Sequence, residues 1–147
     1  MNGPEGEPGF DIVHPLKRVG NRVEPFPTIY WLRDGALHRA VADLERRGWI
    51  KQLEARVAED VAFAAELAAD HARYASARWA MLTEAERDFV VERGWVQALR
   101  DRGVGGVEDA SKIKCLHAHV AHALSDRAAD AEKINAVGAL VLDQMGD

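Results

Sequence analysis

The sequence predicts a mainly α-helical single domain carrying a small N-terminal β ribbon or edge strand. Three observations predict it. Apolar residues recur at helical three- and four-residue spacing through most of the chain beyond Gly35. Helix-starting and helix-stopping residues punctuate that pattern at Asp34, Gly48, Asp60, Thr83 and Gly94. Strand character, β-branched and aromatic, is confined to residues 10–32, among prolines and a Gly-Asn pair.

Residues 1–9 are almost all Gly, Pro and Glu, which bury nothing, and are expected to form a disordered tail ahead of one domain over 10–147. Gly20-Asn21 is a tight-turn pair between Lys17-Arg18-Val19 and Arg22-Val23. Pro25 and Pro27 keep the next segment extended and unsuited to a central strand. Thr28 to Leu32 should then lie as an edge strand over helices. Asp34 caps a helix over 35–47, with Leu37, Ala40, Val41 and Leu44 inward, and Gly48 ends it. Trp49, Ile50, Leu53 and Val57 open a second helix, and Asp60 caps a third. Thr83-Glu84-Ala85-Glu86 is a capping box opening a helix to about Arg93. Arg47-Gly48-Trp49 and Arg93-Gly94-Trp95 read as one corner used twice. Gly103-Val104-Gly105-Gly106-Val107 is a loop, after which a helix is expected from near Asp109-Ala110-Ser111. A turn at Asn135-Ala136-Val137-Gly138 leads into a short closing helix. Trp49, Leu53, Leu67, Leu116, Val120 and Leu124 are the expected core.

The totals narrow the function. The 147 residues suit one domain, and 48% hydrophobic residues supply a core. A net charge of −5 argues against a nucleic-acid binder held by phosphate contacts. One cysteine excludes an internal disulfide framework and fits a reducing cytosol. The start lacks the pattern of a secretory signal, and no apolar run reaches the length of a membrane span. A cytoplasmic protein without nucleic-acid or membrane partners is expected.

Two stretches carry chemistry. Lys114 to His122 holds the only cysteine and three of the six histidines. On a helix, Cys115, His119 and His122 share one face and His117 points away. Residues 115–124 contain no charged side chain, so this helix is expected to be buried and its imidazoles partnered. Satisfied core histidines, a metal site and a thiol or acid–base site all fit. The second stretch continues the apolar stripe of Ala64 and Leu67 into His71, Tyr74 and Arg78. Those side chains are either a structural network or a pocket wall in which Arg78 forks an anion. The glycine-rich loop lacks a Gly-Lys-Ser/Thr ending and is no P-loop.

With these residues in place the chain resembles a bacterial family, the "domain of unknown function 501". The resemblance runs from about His14 to Gly138. It rests on Pro25-Phe26-Pro27-Thr28-Ile29-Tyr30, on His71, Tyr74 and Arg78, and on Ile113-Lys114-Cys115-Leu116-His117 with Ala121-His122. It implies an intracellular bacterial protein and brings no established activity. Arg33-Asp34-Gly35 stands where the family often has Cys or His and then Pro, and Asn135-Ala136-Val137-Gly138 stands for the family's Asn-Pro-x-Gly.

The first functional expectation is a site for a small anion, phosphate- or carboxylate-like, between the 60–82 and 111–126 helices. Cys115, His117 and His122 are its candidate catalytic residues; His71, Tyr74, Arg78 and Lys114 its candidate binding residues. The helix dipole, Lys112 and Lys114 would favour a Cys115 thiolate. Arg78 and the Cys115–His122 face are expected to line one cavity. A non-catalytic interaction module with a buried His/Tyr/Arg network is the alternative, and a zinc protein the next. No stoichiometric zinc is expected, because Cys115 and His122 on one helix would be about 10 Å apart along its axis. The sequence specifies no cofactor and no protein partner.

Overall fold

The computed structural model describes residues 9–146; the expected tail therefore lies, apart from Gly9, outside the described residues. Residues 10–32 form two antiparallel ribbons. Strand β1 (Phe10–Ile12) pairs with β4 (Tyr30–Leu32), and β2 (Leu16–Val19) pairs with β3 (Arg22–Pro25). Gly20 turns the β2–β3 hairpin at φ 63°, a conformation costly for a side-chain-bearing residue. The sequence suggested one β element; the chain makes two, because Pro15, Pro25 and Pro27 remove the donors a continuous ladder needs. One further bond extends each ribbon: Val13 N–H to the Ile29 carbonyl continues β1–β4, and Phe26 N–H to the Pro15 carbonyl continues β2–β3, each 2.7 Å.

Six α-helices follow among the described residues, and their starts agree with the caps. Asp34 accepts from Leu37 N–H and opens α1 (Gly35–Arg46). Gly48, at φ 87°, turns the chain into α2 (Trp49–Glu59). Asp60 ends α2 and accepts from Phe63 N–H to open α3 (Val61–Ala80). The Thr83/Glu86 capping box opens α4 (Glu84–Arg93), and Gly94 closes it at φ 78°. A π turn (Gln97–Asp101) and a 3-10 turn (Val104–Gly106) lead to α5 (Leu116–Ala128) and α6 (Ala136–Gln144).

Helix α5 is the centre of the molecule. Its Leu116, Val120 and Ala123 join Val41 and Leu44 of α1, Leu53 and Val57 of α2, Phe63 and Leu67 of α3, and Val137, Val141 and Leu142 of α6 in the main core. Of the six expected core residues, Leu53, Leu67, Leu116 and Val120 are buried, while Trp49 and Leu124 pack half-buried on its rim. A second cluster joins Ile29, Tyr74, Val104 and Ala118, under β4.

The start of α5 departs from the sequence expectation. The helix opens at Leu116, not near Asp109, and Cys115 is its extended N-cap residue (φ −152°, ψ 154°). Carboxylates from other helices hold this approach out of helical geometry. Glu54 accepts from Ile113 N–H and Glu45 from Leu116 N–H, both at 2.8 Å. Asp109 closes its own turn with Ser111. Backbone donors satisfied this way have no need of a helical partner.

Helices α5 and α6 approach closely through Gly138. A Cβ there would stand 2.4 Å from the His119 carbonyl oxygen and 2.6 Å from Ala123 Cβ. Gly138→Ala is expected to destabilise the fold by about 1–3 kcal/mol, the range of overpacking a filled core. Urea unfolding should show a lower midpoint with an unchanged slope; an unchanged midpoint would contradict the packing.

Candidate functional site

The polar stripe of α3 is buried, and each of its members fastens a distant piece of backbone. Arg78 has no solvent exposure. Its guanidinium donates to the carbonyls of Pro27 (2.7 Å), Leu99 (3.3 Å), Arg102 (2.7 Å) and Gly103 (3.1 Å). Three of those carbonyls lie at the end of the π turn, where a helical segment leaves acceptors without partners and its dipole is negative. The Tyr74 ring lies 5.4 Å from the guanidinium carbon. Among the described residues no carboxylate pairs with Arg78. Burial pushes its pKa down, the nearby Tyr74 acting the other way. Arg78 is thus neither the anion fork nor the carboxylate partner that its spacing suggested: backbone carbonyls fill its donors.

Tyr74 and His71 work alike. The Tyr74 hydroxyl accepts from the N–H groups of Ile29 (2.9 Å) and Tyr30 (3.2 Å), and burial raises its pKa. His71 Nδ1 accepts from Val104 N–H, so Nε2 carries the proton and donates to the Lys112 carbonyl, both at 2.9 Å. A Cβ at position 103 would meet the His71 ring at 2.3 Å, so Gly103 is required for that loop to approach. Burial lowers the His71 pKa and keeps the ring neutral.

A second buried layer joins α3, α5 and α6. Arg73 bridges Asp126 in a bidentate pair (2.9 and 3.0 Å) and also reaches Asp70 (2.9 Å). The carboxylates in turn accept from the backbone at the start of α6, Asp126 from Asn135 N–H and Asp70 from Ala136 N–H, both at 2.8 Å. The Asn135 side chain caps α6 through Gly138 N–H and donates Nδ2 to His122 Nδ1 (3.0 Å) and to His119 Nδ1 (3.1 Å). As acceptors both imidazoles are neutral with the proton on Nε2; His119 Nδ1 also lies 3.2 Å from the Asn135 amide oxygen, the acceptor it would use in its other tautomer. Burial is the main reason the His119 pKa falls to about 3 and that of His122 to about 4. His119 Nε2 has no protein partner.

Cys115 lies elsewhere, at a cleft of about 500 Å³ lined by Thr28, Tyr30, Trp31, His38, Lys114 and His117 among others. That volume is within the usual range for a small-molecule site. Gly105, at φ 70°, keeps it open: a Cβ there would stand 3.1 Å from Lys114 Cβ and 4.0 Å from the Cys115 sulfur. The His38 and His117 rings are 4.1 Å apart. His117 faces the Glu45 carboxylate through Nδ1 and the His38 carbonyl through Nε2, both at 3.3 Å. Both ring nitrogens therefore face oxygen atoms. Lys114 is exposed.

The dipole argument for a Cys115 thiolate does not hold. Burial raises the thiol pKa and Glu45 adds to it, outweighing Lys114 and the first N–H groups of α5. The expected cavity shared by Arg78 and the Cys115–His122 face is likewise not formed. Arg78 is enclosed by backbone. His122 stacks at 5.7 Å on the ring of Tyr30, a residue of the cleft wall, and does not itself line the cleft. The structure brings Cys115, His117 and Lys114 together; it places His71, Tyr74, Arg78 and His122 in the supporting interior.

Sequence reasoning missed His38, Glu45 and Glu54, which sit on amphipathic helices like any solvated polar residue. It missed Asp70, Arg73 and Asp126 for the same reason. Asn135 did carry a signal, as a cap residue opening the last helix. Among the described residues no three His, Cys, Asp or Glu side chains are arranged to hold a metal ion. No helix among them is long and apolar enough to cross a membrane.

The class defined here is a small helical domain with a cleft beside Cys115 whose walls are tied to a buried polar helix face. The chain belongs to the DUF501 family, described as proteins of unknown function, whose model matches residues 2–143. No curated protein and no solved structure matches it.

Two outcomes follow from the buried groups. Arg78→Lys removes the fork and strands several carbonyls, so unfolding free energy should fall by roughly 2–5 kcal/mol. Denaturant titration checks this, and full stability in the variant would refute the clamp. The histidines give a pH dependence. Because His71, His119 and His122 have pKa values lowered in the folded state from 6.5, the unfolded chain binds protons first. Their contribution is complete above pH 6.5 and declines as pH falls toward 4. The slope approaches about 1.4 kcal/mol per pH unit for each histidine. Burial raises the Asp70 pKa, which acts with the opposite sign at lower pH, so unfolding is best compared between pH 7.5 and 5. A flat profile there would mean that these rings are not held neutral.

Proposed function

We propose that the protein binds a small anionic molecule, phosphate- or carboxylate-like, in the cleft beside Cys115. One observation carries this reading: the buried polar residues of α3 fasten the segments that form the cleft's walls. Tyr74 holds Ile29 and Tyr30, next to Thr28 and Trp31. Arg78 holds Pro27 and the turn ending at Gly103. His71 holds Val104 and Lys112, which flank Gly105 and Lys114. A recess with walls fixed from behind is preorganised, which lowers the ordering cost of binding.

Lys114 supplies an exposed positive charge, and His117, held between Glu45 and the His38 carbonyl, a fixed imidazole. Cys115 acts as a protonated thiol, a weak donor and polarisable wall. The setting we infer is a bacterial cytoplasm, on the strength of the family resemblance and the free thiol. An interaction module would use the same buried network; the recess between pinned walls favours a ligand over it.

Thermal denaturation with added inorganic phosphate or acetate, against chloride at equal ionic strength, tests the reading. At least one anion should raise Tm, as ligands of the folded state do. Lys114→Met, at an exposed position, should keep the unliganded Tm and lose the shift. Absence of any shift in the wild type would leave the interaction module as the better description.

A further inference from the structure

The cleft's basic side, Lys114 with His38 and His117, is matched by an aromatic side that neither the anion nor the fold explains. Trp31 is 44% exposed although it lines the cleft. Its ring is held in place. It stacks on Phe26, with centroids 5.7 Å apart at 25°. Its indole N–H donates to the Thr28 carbonyl at 2.7 Å. Lys17 lies over Phe26 at 4.7 Å, completing a cation–ring–ring stack. An exposed tryptophan held by a hydrogen bond and by a ring behind it is a fixed platform. Fixing it this way removes most of the entropy that a stacking partner would otherwise have to overcome.

Tyr30 borders the same space, and it too is immobilised. It stacks on His122 at 5.7 Å and 8°, and meets Tyr74 edge-on at 5.4 Å. Leu32 and Ala118 add apolar lining. The opposite chemistry comes from Lys114, His38 and His117. Electron-rich indole faces also attract cations, but here two histidines and a lysine border the space. Glu45 is the nearby countercharge, and it is taken up by His117 and by Leu116 N–H.

We propose that the ligand of this cleft is a flat aromatic or heteroaromatic ring bearing one phosphate or carboxylate. The ring lies on Trp31 and the anionic group meets Lys114 and the histidine pair. The inference rests on the anion-binding reading above and adds the ring to it.

Inorganic phosphate and phenyl phosphate are the probes, with acetate and benzoate as the carboxylate pair. Dissociation constants are measured by calorimetry on the full chain. Each aromatic probe should bind about three- to tenfold tighter than its ringless counterpart, the gain usual for an aromatic pair. Trp31→Leu should abolish that gain and leave the affinity for the bare anion intact. Lys114→Met should weaken both members of a pair. Should Trp31→Leu fail to fold, the wild-type indole N–H resonance of Trp31, assigned by its loss in Trp31→Phe, provides a second readout. A ring-current shift with phenyl phosphate and none with inorganic phosphate supports stacking. Equal affinities within both pairs, or a gain that survives Trp31→Leu, would overturn the ring proposal while leaving the anion reading standing. No binding by any of the four would overturn both.

Discussion

The Arg78 guanidinium and its four backbone carbonyls are the interaction on which the remaining structure depends. A fully buried cation is ordinarily paired with a carboxylate, because desolvation alone is too costly. Here carbonyl dipoles take that place. They come from two loops with no hydrogen bonds to each other through a sheet or helix: the Pro25-Phe26-Pro27 segment and the stretch after the π turn. Prolines cannot donate to a ladder, and a short π turn ends with unpaired acceptors. Each segment is therefore deficient in internal bonding, and a planar donor group with a fixed fork satisfies both at once. Lysine offers no equivalent, since its ammonium is a point with three donors.

A similar logic explains why a helix as apolar as α5 carries two buried histidines. The close approach of α5 and α6 at Gly138 brings the capping asparagine of α6 against α5. Asn135 has one amide oxygen and two amide hydrogens. The oxygen caps Gly138 N–H, and the two hydrogens need acceptors in a dry environment. Neutral imidazole nitrogens supply them. Asp126 and Asp70 then hold the first backbone N–H groups of α6 from the other side, with Arg73 between them. The histidines are best understood as acceptors for a cap, which is why their burial costs them the ability to ionise near neutral pH.

The helical part of the fold was legible in the sequence because it is governed by local rules. Asp34, Asp60 and the Thr83/Glu86 box cap the helices they open, and Gly48 and Gly94 turn left-handed where the chain changes direction. The inward stripe of His71, Tyr74 and Arg78 was legible too, since helical spacing returns those residues to the side of Leu67. Their partners were not. Backbone carbonyls carry no sequence label, so nothing in the spacing distinguishes an arginine that forks an anion from one that ties two loops. The start of α5 was misplaced for a related reason. Glu54 and Glu45 override the local preference of residues 109–115 through bonds that span 59 and 71 positions of the chain. Long-range contacts to backbone groups are invisible to periodicity.

The two buried polar layers divide the molecule's chemistry in a way that bears on the cleft. His71, Tyr74 and Arg78 on α3 are engaged by distant backbone groups and do not line the cleft, so none of them is left to touch a ligand there. Those at the mouth behave differently. Lys114 has open solvent around it, Trp31 offers nearly half its surface, and Gly105 holds space that a side chain would fill. Saturated groups behind unsaturated ones are what a rigid binding recess requires, because a wall whose own bonds are complete does not rearrange when a ligand arrives. The thiol of Cys115 sits at the boundary between the layers. Burial keeps it protonated and Glu45 opposes ionisation further, so its chemistry belongs with the walls rather than with an activated nucleophile. Changing that would take a positive charge brought close to the sulfur, or removal of the Glu45 carboxylate that also holds the Leu116 N–H in place.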